Sequence, residues 1–181
     1  PLAAYRLLDL TLGMCLGMAA AWLVRGVPPR RVCAAVEGAV ATTGTALGEH
    51  LSTGTAGAAS GGAAWQHMAD LWTMHASVPA EEFRPTGTAD RLWPAVLAVR
   101  RLLSWNLLDG PAAPARDDGA RVSGFLLVLA GAAGAGLPGS PACRSALPGP
   151  ARTPQPAHAP ELGTRLAALR SALDSPSSPP A

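Results

Sequence analysis

Residues 7–24 read LLDLTLGMCLGMAAAWLV, eighteen positions carrying one charge, Asp9, near the start. At 1.5 Å per helical residue the run is about 27 Å long, close to the thickness of a bilayer core. Arg6 and Arg25 bracket it. Trp22 stands near one end and Tyr5 just outside the other, where amphipathic aromatics meet the membrane interface. The stretch therefore reads as a transmembrane helix. A secretory signal has a shorter apolar core, which Asp9 would interrupt early. A lipoprotein signal needs a small residue before its cysteine, and Met14 precedes Cys15. A buried helix of a soluble domain is usually shorter or bounded by caps.

Two features of this helix are candidates for function. Arg6 and Asp9, three apart at its entrance, form the entrance pair. A charge within a span is a functional candidate by default, but at the edge it can reach water or pair locally. Anchoring is thus the first expectation for the pair, and lining a substrate path the second. Gly13 and Gly17, four apart, make a small-xxx-small face that lets another helix approach closely in lipid. Arg25, Arg30 and Arg31 follow the span, with no acid before Glu37, whereas only Arg6 precedes it. The positive-inside rule places residues after about 27 in the cytoplasm.

Composition bounds the remainder. Of the 181 residues 49% are apolar, but only 4% are aromatic and 14% charged, against roughly 25% charged in soluble domains. Isoleucine is absent and valine scattered, so a β-sheet has little material, while the abundant alanine favours helix. All fourteen basic residues are arginine, as GC-rich coding produces, and a dispersed net charge of +2 does not point to nucleic acid. Cys15, Cys33 and Cys143, an odd number at wide spacing, suggest neither a disulfide framework nor a zinc site. The first residue is Pro1, which reads as a piece of a longer protein.

The expected architecture is all-α: one transmembrane helix (1–27), a cytoplasmic bundle of α-helices (28–137), and a Pro/Ala/Gly-rich tail (138–181) that is disordered apart from a short helix over 161–173. Residues 30–75 read as one long helix with a weak Gly-rich middle, two helices with a loop near Ser60 being the alternative. Val32, Val36, Val40 and Leu47 mark its first face, and Trp65, Met68, Leu71 and Trp72 its last. The next helix starts at Thr88, runs through Leu92, Val96, Val99, Leu103 and Leu107, and stops at Asp109-Gly110-Pro111. Residues 111–119 read as a linker. Residues 122–137 form a helix packed on the other cytoplasmic helices, a second span being the alternative. Leu162, Leu166, Leu169 and Leu173 give the last helix its apolar stripe.

No reactive constellation emerges. Gly134-Ala135-Gly136-Leu137-Pro138-Gly139 matches the dinucleotide fingerprint GxGxxG, yet the prolines after it prevent the helix that must aim its N–H groups at a pyrophosphate. His50, His67 and His75 are seventeen and eight residues apart, not the three or four of helical metal ligands. His67 and Asp70 read as a surface pair, and Glu81-Glu82 as a solvated loop cluster. No nucleophile has an evident base. No enzymatic activity, cofactor or metal is expected.

Arg6-Leu7-Leu8-Asp9, then Gly13, Gly17 and the run into Ala21-Trp22-Leu23-Val24, resembles the end of the membrane unit in fusaric acid resistance protein-like transporters. There an R-x-x-D-T-x-x-G-type stretch opens the last helix of a bundle, and a cytoplasmic helical region follows. Residues 91–96, RLWPAV, with Arg101-Leu102-Leu103 after them, are similar to a W-P-A-containing helix of actinobacterial members. The similarity covers roughly residues 1–109. It implies the C-terminal part of a multi-pass efflux transporter of the cell membrane that exports small organic, typically aromatic, acids. The partners expected are the lipid bilayer, other transmembrane helices of the same protein and, as a further option, a second copy in a homo-oligomer. The alternative is a single-pass, membrane-anchored helical interaction module without transport activity.

Overall fold

The computed structural model describes residues 13–15, 29–55, 57–77, 88–108, 116–156 and 159–175. Among them the chain is entirely helical, with no strand. We label the helices α1 (Pro29–Thr53), α2 (Ala58–Ser77), α3 (Thr88–Leu108), α4 (Arg116–Ala135), α5 (Pro141–Ala146) and α6 (Pro160–Asp174), with a 3-10 turn at Pro150–Arg152. No helix of the described residues is long and apolar enough to cross a membrane. The span expected over 7–24 lies outside the described residues except for Gly13, Met14 and Cys15, which are helical and exposed.

The long helix expected over 30–75 is two helices. Gly54 takes a left-handed φ of 73°, and its N–H bonds back to the His50 carbonyl. Only glycine adopts that φ without a Cβ penalty, so it ends α1 directly after Thr53. The expected alternative break near Ser60 is also displaced, because Ser60, Gly61 and Gly62 lie inside α2. The Ser60 hydroxyl donates to the Glu49 carboxylate, and His67 lies over Gly38, so α2 runs back antiparallel along α1. The fold-back gives the faces of Val40 and Leu47 on α1, and of Met68 and Leu71 on α2, a common core.

The largest helix pair is α1 against α4. It too is antiparallel, since Gly44 abuts Leu126 and Gly48 abuts Ser123 and Gly119. A Cβ on Gly44 would fall 2.8 Å from that of Leu126, and one on Gly48 2.9 Å from that of Ser123. These glycines let two backbones approach closely and bury Val36, Val40, Leu47, Val122, Leu126 and Leu129 between them. The buried Thr43 hydroxyl, also on α1, is satisfied within its own helix by the Ala39 carbonyl at 2.6 Å. As expected, the apolar run after Val122 packs against other helices. Its helix starts six residues earlier, however, inside the expected linker, with Asp117 and Asp118 in a first turn whose dipole favours acids.

Residues 138–156 are not a disordered tail. Ser140 caps α5 by accepting from the Cys143 N–H, and Cys143 is fully buried. The Gly139 N–H donates to the Leu173 carbonyl at 2.8 Å, and Arg170 donates to the Pro148 carbonyl at 2.8 Å. These bonds tie the segment to the end of α6. In turn α6 packs on α3 through Leu162, Leu166 and Leu169, and Arg165 donates to the Arg101 carbonyl at 2.9 Å. One apolar cluster thus runs through all six helices.

Candidate functional site

Of the four expected site residues, Gly13 alone is among the described residues. Arg6, Asp9 and Gly17 lie outside the described residues. Gly13 is exposed, with nothing within 4 Å of where a Cβ would stand. Close helix packing through small residues is found at Gly44, Gly48 and Gly119. The repeat Gly44-xxx-Gly48-xxx-Ser52 is a small-residue pattern of the same kind, and it was the sequence signal for this interface.

The GxGxxG stretch holds no phosphate cradle. Gly134 ends a helix rather than beginning one, Gly139 takes φ 73° in the turn into α5, and Ser140 and Cys143 crowd Gly136. The histidines are dispersed. His67 is exposed beside Gly38, and the His75 side chain lies outside the described residues. Among the described residues no group of three or more His, Cys, Asp or Glu could hold a metal ion.

His50 is the unusual one. It is buried on α1, and neither ring nitrogen has a hydrogen-bond partner. Burial pushes its pKa below the ordinary histidine value, because the charged form loses its hydration. Cys33 and Cys143 are likewise buried. Desolvation raises both thiol pKa values, and each thiol also faces a negative neighbour, Glu37 for Cys33 and Asp174 for Cys143. Such thiols are poor nucleophiles.

The feature with binding chemistry is a shallow trough of about 380 Å³ between α2 and α3, lined by Trp65, Met68, Ala69, Trp72, Thr73 and Arg100. Helical spacing puts Trp65, Met68 or Ala69, and Trp72 on successive turns of one side of α2. Met68 and Leu71 turn into the core, while Trp65 and Trp72, at the edge of that face, stay 40% and 42% exposed. From α3, Trp93 packs its ring against Trp72 with centroids 5.5 Å apart and planes tilted 54°. One helical stretch further on, the Arg100 guanidinium lies 5.7 Å from the Trp72 ring centroid. The tilted pair contributes about 0.5–1.5 kcal/mol and the exposed cation–π contact about 0.5–1 kcal/mol, enough to hold Trp72 in one orientation.

A neighbouring hollow of about 490 Å³ contains Arg31 of α1 with His67 and Asp70 of α2, and it shares Thr73 with the trough. His67 and Asp70 therefore share a face, as expected, and Arg31 joins them. What sequence reading missed is the trough. Trp65 and Trp72 have the spacing of an apolar helix face, and only their placement at its edge makes them a surface.

No family model, curated protein or solved structure matches the chain.

Proposed function

We propose that this chain is the membrane-tethered C-terminal part of an exporter of small organic acids, its helical body lying on the cytoplasmic side. The observation that carries the reading is the junction between the apolar run and the body. The run over 7–24 ends at Val24, and α1 begins at Pro29 with Arg30 and Arg31 exposed in its first turn. An apolar run of spanning length followed at once by arginines is the pattern of a helix leaving the bilayer on the cytoplasmic side. The transported class comes from the resemblance of Arg6, Asp9, Gly13 and Gly17 to fusaric acid resistance protein-like transporters. In this reading Arg6 and Asp9 stand at the entrance of the last span, and the conduit is built with helices outside this chain.

The test is accumulation of labelled aromatic acids in cells that lack or express the full-length gene. Lower accumulation on expression supports export, and unchanged accumulation across a broad panel overturns it. The exposed Trp65 and Trp72 favour a second reading, a tethered module that binds a partner without transport. The gene upstream of Pro1 separates the two. Several further apolar spans support the exporter, and a start codon a few residues before supports the module.

A further inference from the structure

The trough between α2 and α3 presents two half-exposed tryptophans and one exposed cation, Arg100, and no acid lines it. The nearest described acid of α2, Asp70, lies in the adjoining hollow with Arg31 and His67. Tryptophan beside arginine is the pairing favoured at the lipid headgroup level. The indole has an apolar body and one N–H donor, and the guanidinium reaches phosphate while its stem lies on apolar surface.

Position along the chain brings this face to a membrane. At most roughly 17 Å of extended chain separates Val24, the end of the apolar run, from Pro29. The hollow adjoining the trough contains Arg31, in the first turn of α1, and it shares Thr73 with the trough. Trp72 therefore lies near the end of the body that the tether leaves from, with Trp65 two helical turns further along α2. Arg30 and Arg31 are exposed there too, and with Arg100 they give that end a positive character matched to an anionic leaflet.

The geometry points to the Trp65–Trp72–Arg100 face as a docking surface for the anionic headgroup layer of the bilayer that holds the tether. It rests on the tether reading. Docking at this face lays α2 and α3 against the leaflet and leaves α4, α5 and α6 facing away from it or to the side. The tether then holds the face at high local concentration, so a shallow contact suffices.

The five tryptophans supply the test. The full chain, grown with 5-fluorotryptophan, is placed in lipid nanodiscs of phosphatidylcholine, alone or mixed with phosphatidylglycerol. A trace lipid carries a nitroxide near its headgroup. Single Trp→Phe variants assign the fluorine resonances. Trp22 reports on the tether, Trp65 and Trp72 on the face, and Trp105, 3% exposed, on the core.

The expected result is broadening of Trp22, and of Trp65 and Trp72 more than of buried Trp105, with the excess at Trp65 and Trp72 growing when phosphatidylglycerol is present. Arg100→Glu should lower the docked population ratio at these two positions roughly 25-fold, since each juxtamembrane charge counts for about fivefold in membrane attraction and the reversal changes two. Helicity by circular dichroism checks that the variant stays folded. Broadened Trp22 with sharp Trp65 and Trp72 overturns the docking surface while leaving the tether. A sharp Trp22 overturns the tether itself. Broadening of Trp65 and Trp72 that ignores both phosphatidylglycerol and Arg100→Glu overturns the anionic selectivity. Resonances that respond to protein concentration rather than lipid assign the face to a second copy instead, and overturn the proposal.

Discussion

The α1–α4 contact makes a prediction in which one substitution has opposite signs at two places. Gly44 and Gly124 both lie within helices, α1 and α4, several residues from either end. Replacing an exposed helical glycine by alanine gains about 0.8–1 kcal/mol, because the unfolded glycine has more freedom to lose. At Gly124 nothing lies within 4 Å of the new methyl group, so the full gain should appear. At Gly44 the methyl carbon would stand 2.8 Å from the Leu126 Cβ. That atom is bonded to the α4 backbone and cannot swing aside as a side-chain tip would, so the helices must part. Overpacking of this kind costs about 1–3 kcal/mol.

Subtracting the two variants removes the propensity contribution, and the difference that remains is the steric cost. At about 2–4 °C per kcal/mol for a chain of this size, Gly44→Ala should melt roughly 4–8 °C below Gly124→Ala for a 2 kcal/mol cost. Wild type should fall between them. The assay is thermal unfolding followed by far-ultraviolet circular dichroism in one mild detergent. If Gly44→Ala melts at or above Gly124→Ala, the close approach of α1 and α4 is refuted, and with it the packing that forms the centre of the body.

Four further outcomes follow from the buried groups and from the last helix. His50→Leu should stabilise the fold by about 1–2 kcal/mol, since it removes two buried nitrogens without partners, and a lower urea midpoint for the variant would refute this. The same residue sets an acid sensitivity. Its folded pKa lies below the unfolded value near 6.5, so neutral His50 leaves stability intact above that pH, and stability falls as pH drops towards the folded pKa by up to about 1.4 kcal/mol per pH unit. Urea midpoints measured against pH should lose that part of the slope in His50→Leu. In detergent, a water-soluble thiol reagent should modify Cys33 and Cys143 only at rates set by unfolding, and modification as fast as that of a free thiol would contradict the buried positions. Truncation after Leu137 should lower the melting temperature and broaden the transition, because it strips α6 from α3, and an unchanged transition would show that residues 138–175 are no part of the core.

Which parts of the fold could be read from the residues depends on how each residue type acts. The last helix was expected over 161–173 and is found at Pro160–Asp174, and the third was expected from Thr88 to its stop at Asp109 and is found at Thr88–Leu108. Leucine and valine at three- and four-residue spacing specify such helices, because a continuous stripe can be buried only in that conformation. Glycine and proline act by position rather than by number, and there a count misleads. Of the glycines from Gly54 to Gly62, Gly61 and Gly62 lie inside α2 and Gly57 just before it, while Gly54 alone takes the left-handed φ that ends α1. Nothing in composition tells it from Gly61, which lies inside a helix.

The prolines of 138–160 pose the same problem with the opposite outcome. Their density suggests a chain that cannot order, yet Pro141, Pro150 and Pro160 each begin a helical element, as Pro29 does in α1. At a first helical position the missing N–H removes no hydrogen bond, and the fixed φ already suits the helix. What orders the segment is the burial of Cys143 and its ties to Leu173 and Arg170, contacts about thirty and twenty-two residues away that no local pattern announces. The trough was hidden for a related reason. Trp65 and Trp72 have the spacing of a core stripe, and one face of a helix has edges as well as a centre. Which of its residues are buried is decided by the width of the neighbour laid against it. In this protein the neighbouring helices bury Met68 and Leu71 and leave the two indoles half exposed, and Arg100 of α3 lies across the one that Trp93 supports.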